Sequence, residues 1–222
     1  PARAGRARKR RETLDHAEFV GELASEIALT AEKLVRDDVG VADMKLLNAV
    51  YLFLDEFKPD HVILGGDNLN CAPLSHWLAK DERARQGLRW DLEVKGFERE
   101  VLRPLEGLTS RISWLDGNHE DWVEDFIAKE PTLGDAAHHK EMLSLEDRGI
   151  EYYPQGSLIK EGHLYFMHGD TLRGGGDHAA KKAVIEYGRN IRFGHFHTFQ
   201  TYTRIELLTR VLISPEMKYF ER

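Results

Sequence analysis

Four short segments limit what this chain can fold into: Gly65-Gly66-Asp67-Asn68, Gly117-Asn118-His119-Glu120, His168-Gly169-Asp170 and Gly194-His195-Phe196-His197. Each follows a run that reads as one short strand: His61–Leu64, Arg111–Leu115, His163–Met167 and Asn190–Phe193. Glycine at the end of such a run turns the chain sharply and leaves a polar side chain at the strand's carboxyl end. In open α/β sheets that end is where ligands bind. Strand, polar turn, helix, repeated in this order, predicts an α/β fold with its loops converging on one edge.

The remaining elements fit that scheme. Phe19, Val20, Leu23, Ile27, Ala31, Leu34 and Val35 recur at helical spacing and predict a helix over residues 12–36. A second helix is expected over 44–57, ended by Lys58-Pro59-Asp60. Residues 74–106 read as mostly helical, with Trp77 and Trp90 as packing residues before pocket walls. A helix is expected from the second segment to about Lys129, before Pro131, and another over 138–148. Glu151-Tyr152-Tyr153 reads as extended. Gly174-Gly175-Gly176 reads as a mobile loop, with Asp177 capping a helix from Ala179 to Tyr187. Strands are expected at Thr201–Arg204 and Leu207–Ile213.

A length of 222 residues suits one large domain, here 37–222, preceded by a basic arm and helix over 1–36. The net charge of −7 excludes a surface that coats nucleic acid generally. The arm is the exception, since Arg3, Arg6, Arg8, Lys9, Arg10 and Arg11 could meet phosphates. As a charged terminus it reads first as a solvated tail. The lone Cys71 excludes an intrachain disulfide and suits a reducing cytoplasm. No apolar run reaches the roughly 18 residues of a membrane span, and no signal-peptide core is visible at the start. The expected location is cytoplasmic.

The polar residues point to divalent metal chemistry. Asp67 has two oxygens and a negative charge, so it can bridge two ions. Asn118 adds a neutral carbonyl oxygen. His168, His195 and His197 add imidazoles, which suit Zn, Mn, Fe or Ni rather than Ca or Mg. Two such ions about 3.5–4 Å apart polarise a phosphoryl oxygen and activate a hydroxide for in-line attack. His119 is adjacent to Asn118 and should point elsewhere, placed to assist a leaving group. Asp121 and Asp170 are candidates to orient it, and Glu120 reads as a helix cap. His61, His76, His138, His139 and His163 read as surface or packing residues. His178, near the glycine loop, reads as solvated before substrate-contacting, while Arg173 and Lys181 read equally as solvated residues and as contacts to an anionic substrate.

In this order and placement, the four segments resemble the calcineurin-like metallophosphoesterases, over roughly residues 44–200. The resemblance implies a four-layer α/β/β/α sandwich with a dinuclear site at one edge of two sheets. It implies that Asp67 bridges, that Asn118, His168 and His195 hold one ion, that His197 helps hold the other, and that His119 is catalytic. The implied activity is metal-dependent hydrolysis of a phosphomonoester or phosphodiester by metal-bound hydroxide. The basic arm inclines the substrate toward nucleotides or nucleic acid.

One departure stands out. The family opens with a strand and Asp-x-His, which supplies two ligands to the ion that His197 binds. Here Asp37 falls in that region, but Val39 stands where the histidine should be, and helix-like sequence runs up to Arg36. Three readings are open: the motif is lost, Asp37, Asp38 or Asp43 substitutes, or residues are missing near Asp37-Asp38. The abrupt join before Val41 favours the last. The alternative function is a degenerate relative that keeps the fold and serves as a binding scaffold.

Overall fold

The computed structural model describes residues 44–75, 86–172 and 178–203. The basic arm, the helix over 12–36, Asp37, Trp77, the glycine loop with Asp177 and the strand over 207–213 lie outside the described residues. Residues 201–203 have no regular structure.

Helix α1 (Met44–Phe57) buries Leu47 and Leu54, two turns apart on one face. It stops because Lys58 precedes Pro59, which disfavours the helical conformation there. Lys58 turns left-handed, φ 52°, while its N–H still donates to the Leu54 carbonyl at 2.8 Å.

Strands β1 (Val62–Gly65), β2 (Ile112–Leu115) and β3 (Glu151–Tyr153) form one parallel sheet in the order β1-β2-β3. Leu64 pairs with Trp114, and Trp114 with Tyr152. All four β2 residues are buried, as a strand covered on both faces requires. Trp114 anchors this core and meets the edge of Phe97, ring centres 5.3 Å apart. Such a pair adds about 1 kcal/mol beyond burial itself. The one polar residue of β2, Ser113, donates to Glu151 at 3.0 Å and lies 2.8 Å from His61 Nε2.

Strands β4 (Ile159–Glu161), β5 (Leu164–Met167) and β6 (Asn190–Phe193) form a second, mixed sheet. β4 and β5 are an antiparallel hairpin, and β5 and β6 run parallel. Nothing in the residue pattern marks β4. It is three residues long and is defined by its turn, where Gly162 takes φ 58°. A smaller core of Met167, Leu172 and Ala183 joins this sheet to α6.

Five further α-helices lie among the described residues, α2 (Trp90–Phe97), α3 (Arg103–Glu106), α4 (Asn118–Lys129), α5 (His139–Met142) and α6 (Ala179–Tyr187), with short 3-10 turns at Ala72–Leu74 and Pro131–Ala137. α2 passes into α3 through a wide π turn, Glu98–Leu102. Pro104 lacks the N–H that a regular helix would need there. The helix expected over 138–148 is only α5. Ser144, at φ 51°, breaks it, and turns carry the chain to Gly149. Trp90 packs against the core and donates its indole N–H to the Ala137 carbonyl at 2.8 Å, a structural role.

Among the described residues, side chains clasp the two sheets together at both ends. At the amino end of β2, Arg111 donates to Glu151 in the first sheet and to Glu161 in the second, each at 2.8 Å. At the carboxyl ends, the ring of His168 following β5 reaches the Gly65 carbonyl at the end of β1. The second clasp brings the polar turns into one place. The structure thus combines α and β elements with one parallel and one mixed sheet, in agreement with the α/β expectation.

Candidate metal centre

Asp67 sits at the centre of these turns. It follows β1 with φ 51° and is 6 % exposed. A left-handed aspartate is an uncommon and mildly costly conformation, of a kind concentrated at functional sites. His195, φ 66°, and His197, φ 52°, share it.

The carboxylate of Asp67 is built into the neighbouring turn. Its Oδ1 accepts the His119 backbone N–H at 3.0 Å, and its Oδ2 lies 3.2 Å from His168 Nε2. His168 Nε2 is also 3.2 Å from Asn118 Oδ1. His168 Nδ1 is 3.2 Å from the Gly65 carbonyl, which can only accept, so that nitrogen carries the proton. The outer nitrogen is thereby fixed and Nε2 faces inward, the arrangement that orients metal-binding histidines. His195 closes the group. One ligand atom from each of Asp67, His168 and His195 lies within 4.8 Å of the others.

Two glycines make the approach possible. A Cβ on Gly117 would stand 2.2 Å from Asp67 Oδ1 and 2.9 Å from His168 Cε1. A Cβ on Gly66 would stand 2.4 Å from His168 Nδ1, at a φ of 96°. The glycines are there for close approach as well as for turning.

Glu120 plays a part that its position at a helix start did not reveal. It is fully buried and accepts the Gly117 N–H at 2.8 Å, which is the expected cap. It also reaches across to the Asp67 N–H at 3.0 Å and the Leu69 N–H at 2.8 Å. One carboxylate therefore locks the turn after β1 to the turn after β2. Glu93 holds the rest of the first turn, accepting the Cys71 N–H at 2.6 Å, with the Asn70 and Ala72 amides alongside. Cys71 is fully buried among these carboxylates, a packing residue whose thiol is pushed well up by burial.

Asp116 fixes the second turn from below. It accepts from the Trp114 indole at 2.7 Å, from His139 Nε2 at 2.9 Å and from the Tyr152 hydroxyl. His139 is fully buried and stacks on Trp114, so this histidine serves packing. His163 and His178 are exposed.

The electrostatics favour a cation. Burial, with Asp116 and Asp67 nearby, pushes the Glu120 carboxyl up to about 8, against the pull of its amide donors. Burial also opposes ionisation of Asp67, but the charge and hydrogen bond of His168, and His119, bring its carboxyl below the ordinary value. Burial disfavours the His168 cation, yet Asp67 and Glu120 outweigh it and raise the ring to about 9. The acidic surroundings therefore favour positive charge beside Asp67.

His119 stands beside the group, one quarter exposed, its Nε2 3.9 Å from Asp67 Oδ2. Its ring stacks on Trp122, centres 4.4 Å apart at 20°. His197 is exposed and is not part of the Asp67–His168–His195 group. Asp170 accepts from Gln155 at 2.6 Å.

The donor set suits a divalent metal: a carboxylate, an amide oxygen and two imidazoles, at the carboxyl ends of strands from both sheets. A family model for calcineurin-like phosphoesterases matches residues 40–206. The chain belongs to that family. Calcineurin-like phosphoesterases are generally hydrolases of phosphate esters that use divalent metals. No curated protein and no solved structure matches the chain. No helix among the described residues is long and apolar enough to cross a membrane.

Proposed function

We propose that the protein is a metal-dependent phosphoesterase acting on phosphomonoesters or phosphodiesters. The observation that supports this most is the convergence of Asp67 and Asn118 on His168 Nε2, each at 3.2 Å, with His195 closing the group around Asp67 and His168. Asp67, Asn118, His168 and His195 hold one ion. Asp67 and His197, with Asp37 as a further carboxylate, contribute to a second. Bound there, divalent ions supply Lewis-acid polarisation of a phosphoryl oxygen and acidify the attacking water.

The chain's own groups do the rest. Asp67 is pinned by the His119 amide and, through its own N–H, by Glu120, so its oxygens are presented without reorganisation. His119, partly exposed beside Asp67, holds a proton on its ring and delivers it to the leaving oxygen. Nucleotides or nucleic acid are the favoured substrates, supported by the basic arm at Arg3–Arg11. A single cysteine, Cys71, suits the reducing cytoplasm as a location.

The test is hydrolysis of bis-4-nitrophenyl phosphate by the full chain, with and without added Mn²⁺, beside metal analysis. Stoichiometric metal and Mn²⁺-supported turnover, abolished in His168→Ala, is the expected result. Neither metal nor turnover under any divalent ion would leave only the scaffold reading.

A further inference from the structure

We propose that Trp122 is a positioning residue for His119, its indole holding the imidazole in the orientation that serves the leaving group. This rests on the reading of His119 as the group that protonates the leaving oxygen.

His119 and Trp122 lie three residues apart on α4, so their side chains leave the helix on the same side. Their rings are nearly parallel, 20° between planes, with centres 4.4 Å apart. The indole is itself anchored, because it packs against the core that holds Trp114, Val123 and Leu143. The platform under the imidazole is therefore part of the packed core. An imidazole on the first turn of a helix has two torsions to fix. Stacking restricts both, and the observed orientation leaves Nε2 at 3.9 Å from Asp67 Oδ2, beside the candidate metal group. Asp67 fixes the backbone of the same residue through the His119 N–H. Backbone and ring are thus held separately, the first by Asp67 and the second by Trp122.

A residue that only packs would lower activity on every substrate alike, through stability or metal retention. A residue that aims a proton donor matters in proportion to how badly the leaving group needs the proton. Bis-4-nitrophenyl phosphate releases a stable phenolate and needs little help, whereas diphenyl phosphate releases a more basic one.

The experiment compares kcat/KM on this pair for the full-length wild type, His119→Ala, Trp122→Leu and Trp122→Phe, with metal content measured in each. General acid catalysis by a placed side chain is worth roughly 100-fold or more, so Trp122→Leu should lose at least about tenfold on diphenyl phosphate and less than about threefold on the nitrophenyl ester. Trp122→Phe should recover most of the loss, and metal content should hold. Equal losses on both substrates, or none on either, would overturn the proposal. If wild type hydrolyses neither ester with any metal, the phosphoesterase reading fails instead. Orientation is then read from the His119 ring protons by NMR. Loss of their indole ring-current shift in Trp122→Leu, with return of a shift in Trp122→Phe, sustains the positioning role. Signals unchanged by Trp122→Leu end it.

Discussion

Gly117 offers a sharp test of how the site is built. Its backbone, φ −100° and ψ −168°, is open to any residue, so alanine adds no conformational strain. What alanine adds is one carbon, 2.2 Å from Asp67 Oδ1 and 2.4 Å from the Asp67 nitrogen. Reaching an ordinary van der Waals separation of 3.4 Å needs a displacement of about 1.2 Å. The carboxylate cannot yield freely, because it is held by the His119 amide and sits against His168. A misplacement of about 1 Å in a catalytic constellation costs on the order of 100-fold, or about 2.7 kcal/mol of transition-state stabilisation. Overpacking removes about 1–3 kcal/mol of folding stability in addition. Gly65→Ala is the internal control, since a Cβ there meets nothing within 4 Å. The assay is Mn²⁺-supported hydrolysis of bis-4-nitrophenyl phosphate, with bound metal and thermal midpoint measured on the same samples. Gly117→Ala should lose both metal and turnover while Gly65→Ala keeps both. Activity within about threefold of wild type in Gly117→Ala would refute the claim that the two turns meet in a fixed arrangement.

Three further outcomes follow from the geometry. Glu120→Ala strands the amides of Asp67, Leu69 and Gly117. At about 1–3 kcal/mol for each unsatisfied buried group, it should lower stability by about 3 kcal/mol or more, read by urea denaturation. Trp114→Ala empties the middle of β2, deprives the Phe97 ring of its edge-on partner and should cost about 3–5 kcal/mol in the same assay. The Arg111–Glu151 pair sets a pH dependence. Hydrogen bonding to Arg111, against some burial, holds the Glu151 carboxyl at about 2, below its ordinary 4.5. A depressed carboxyl stabilises the fold fully above its unfolded value and loses that contribution as pH falls through the folded one. Both side chains are over a third exposed, so screening limits the effect to about 1 kcal/mol or less. The stability gap between wild type and Arg111→Ala should be largest near neutrality and shrink between pH 4.5 and 2.

The sequence carried the site better than it carried the supports of the site. β1, β2 and β5 were legible as largely apolar runs and β6 as an alternating one, each closed by glycine and a polar residue, and Asp67, Asn118, His168 and His195 meet where those runs end. The wider role of Glu120 was not legible. Its partners are backbone amides some fifty residues away, and amides leave no mark on a sequence. Trp122 was visible only as one more apolar residue on α4, since spacing gives a face but not a stacking angle. Ser144 looks like any serine in a helical run, and only the folded chain shows its left-handed turn. β4 falls below the length at which alternation can be read. Asp37 and the arm lie outside the described residues.

The central claim, that Asp67, Asn118, His168 and His195 hold a metal, is tested most directly by anomalous diffraction. A crystal of the full chain grown with Mn²⁺ and measured at the manganese edge should show a peak about 2.0–2.3 Å from Asp67, Asn118, His168 Nε2 and His195. Density of that kind elsewhere, with none among these four side chains, would contradict the account.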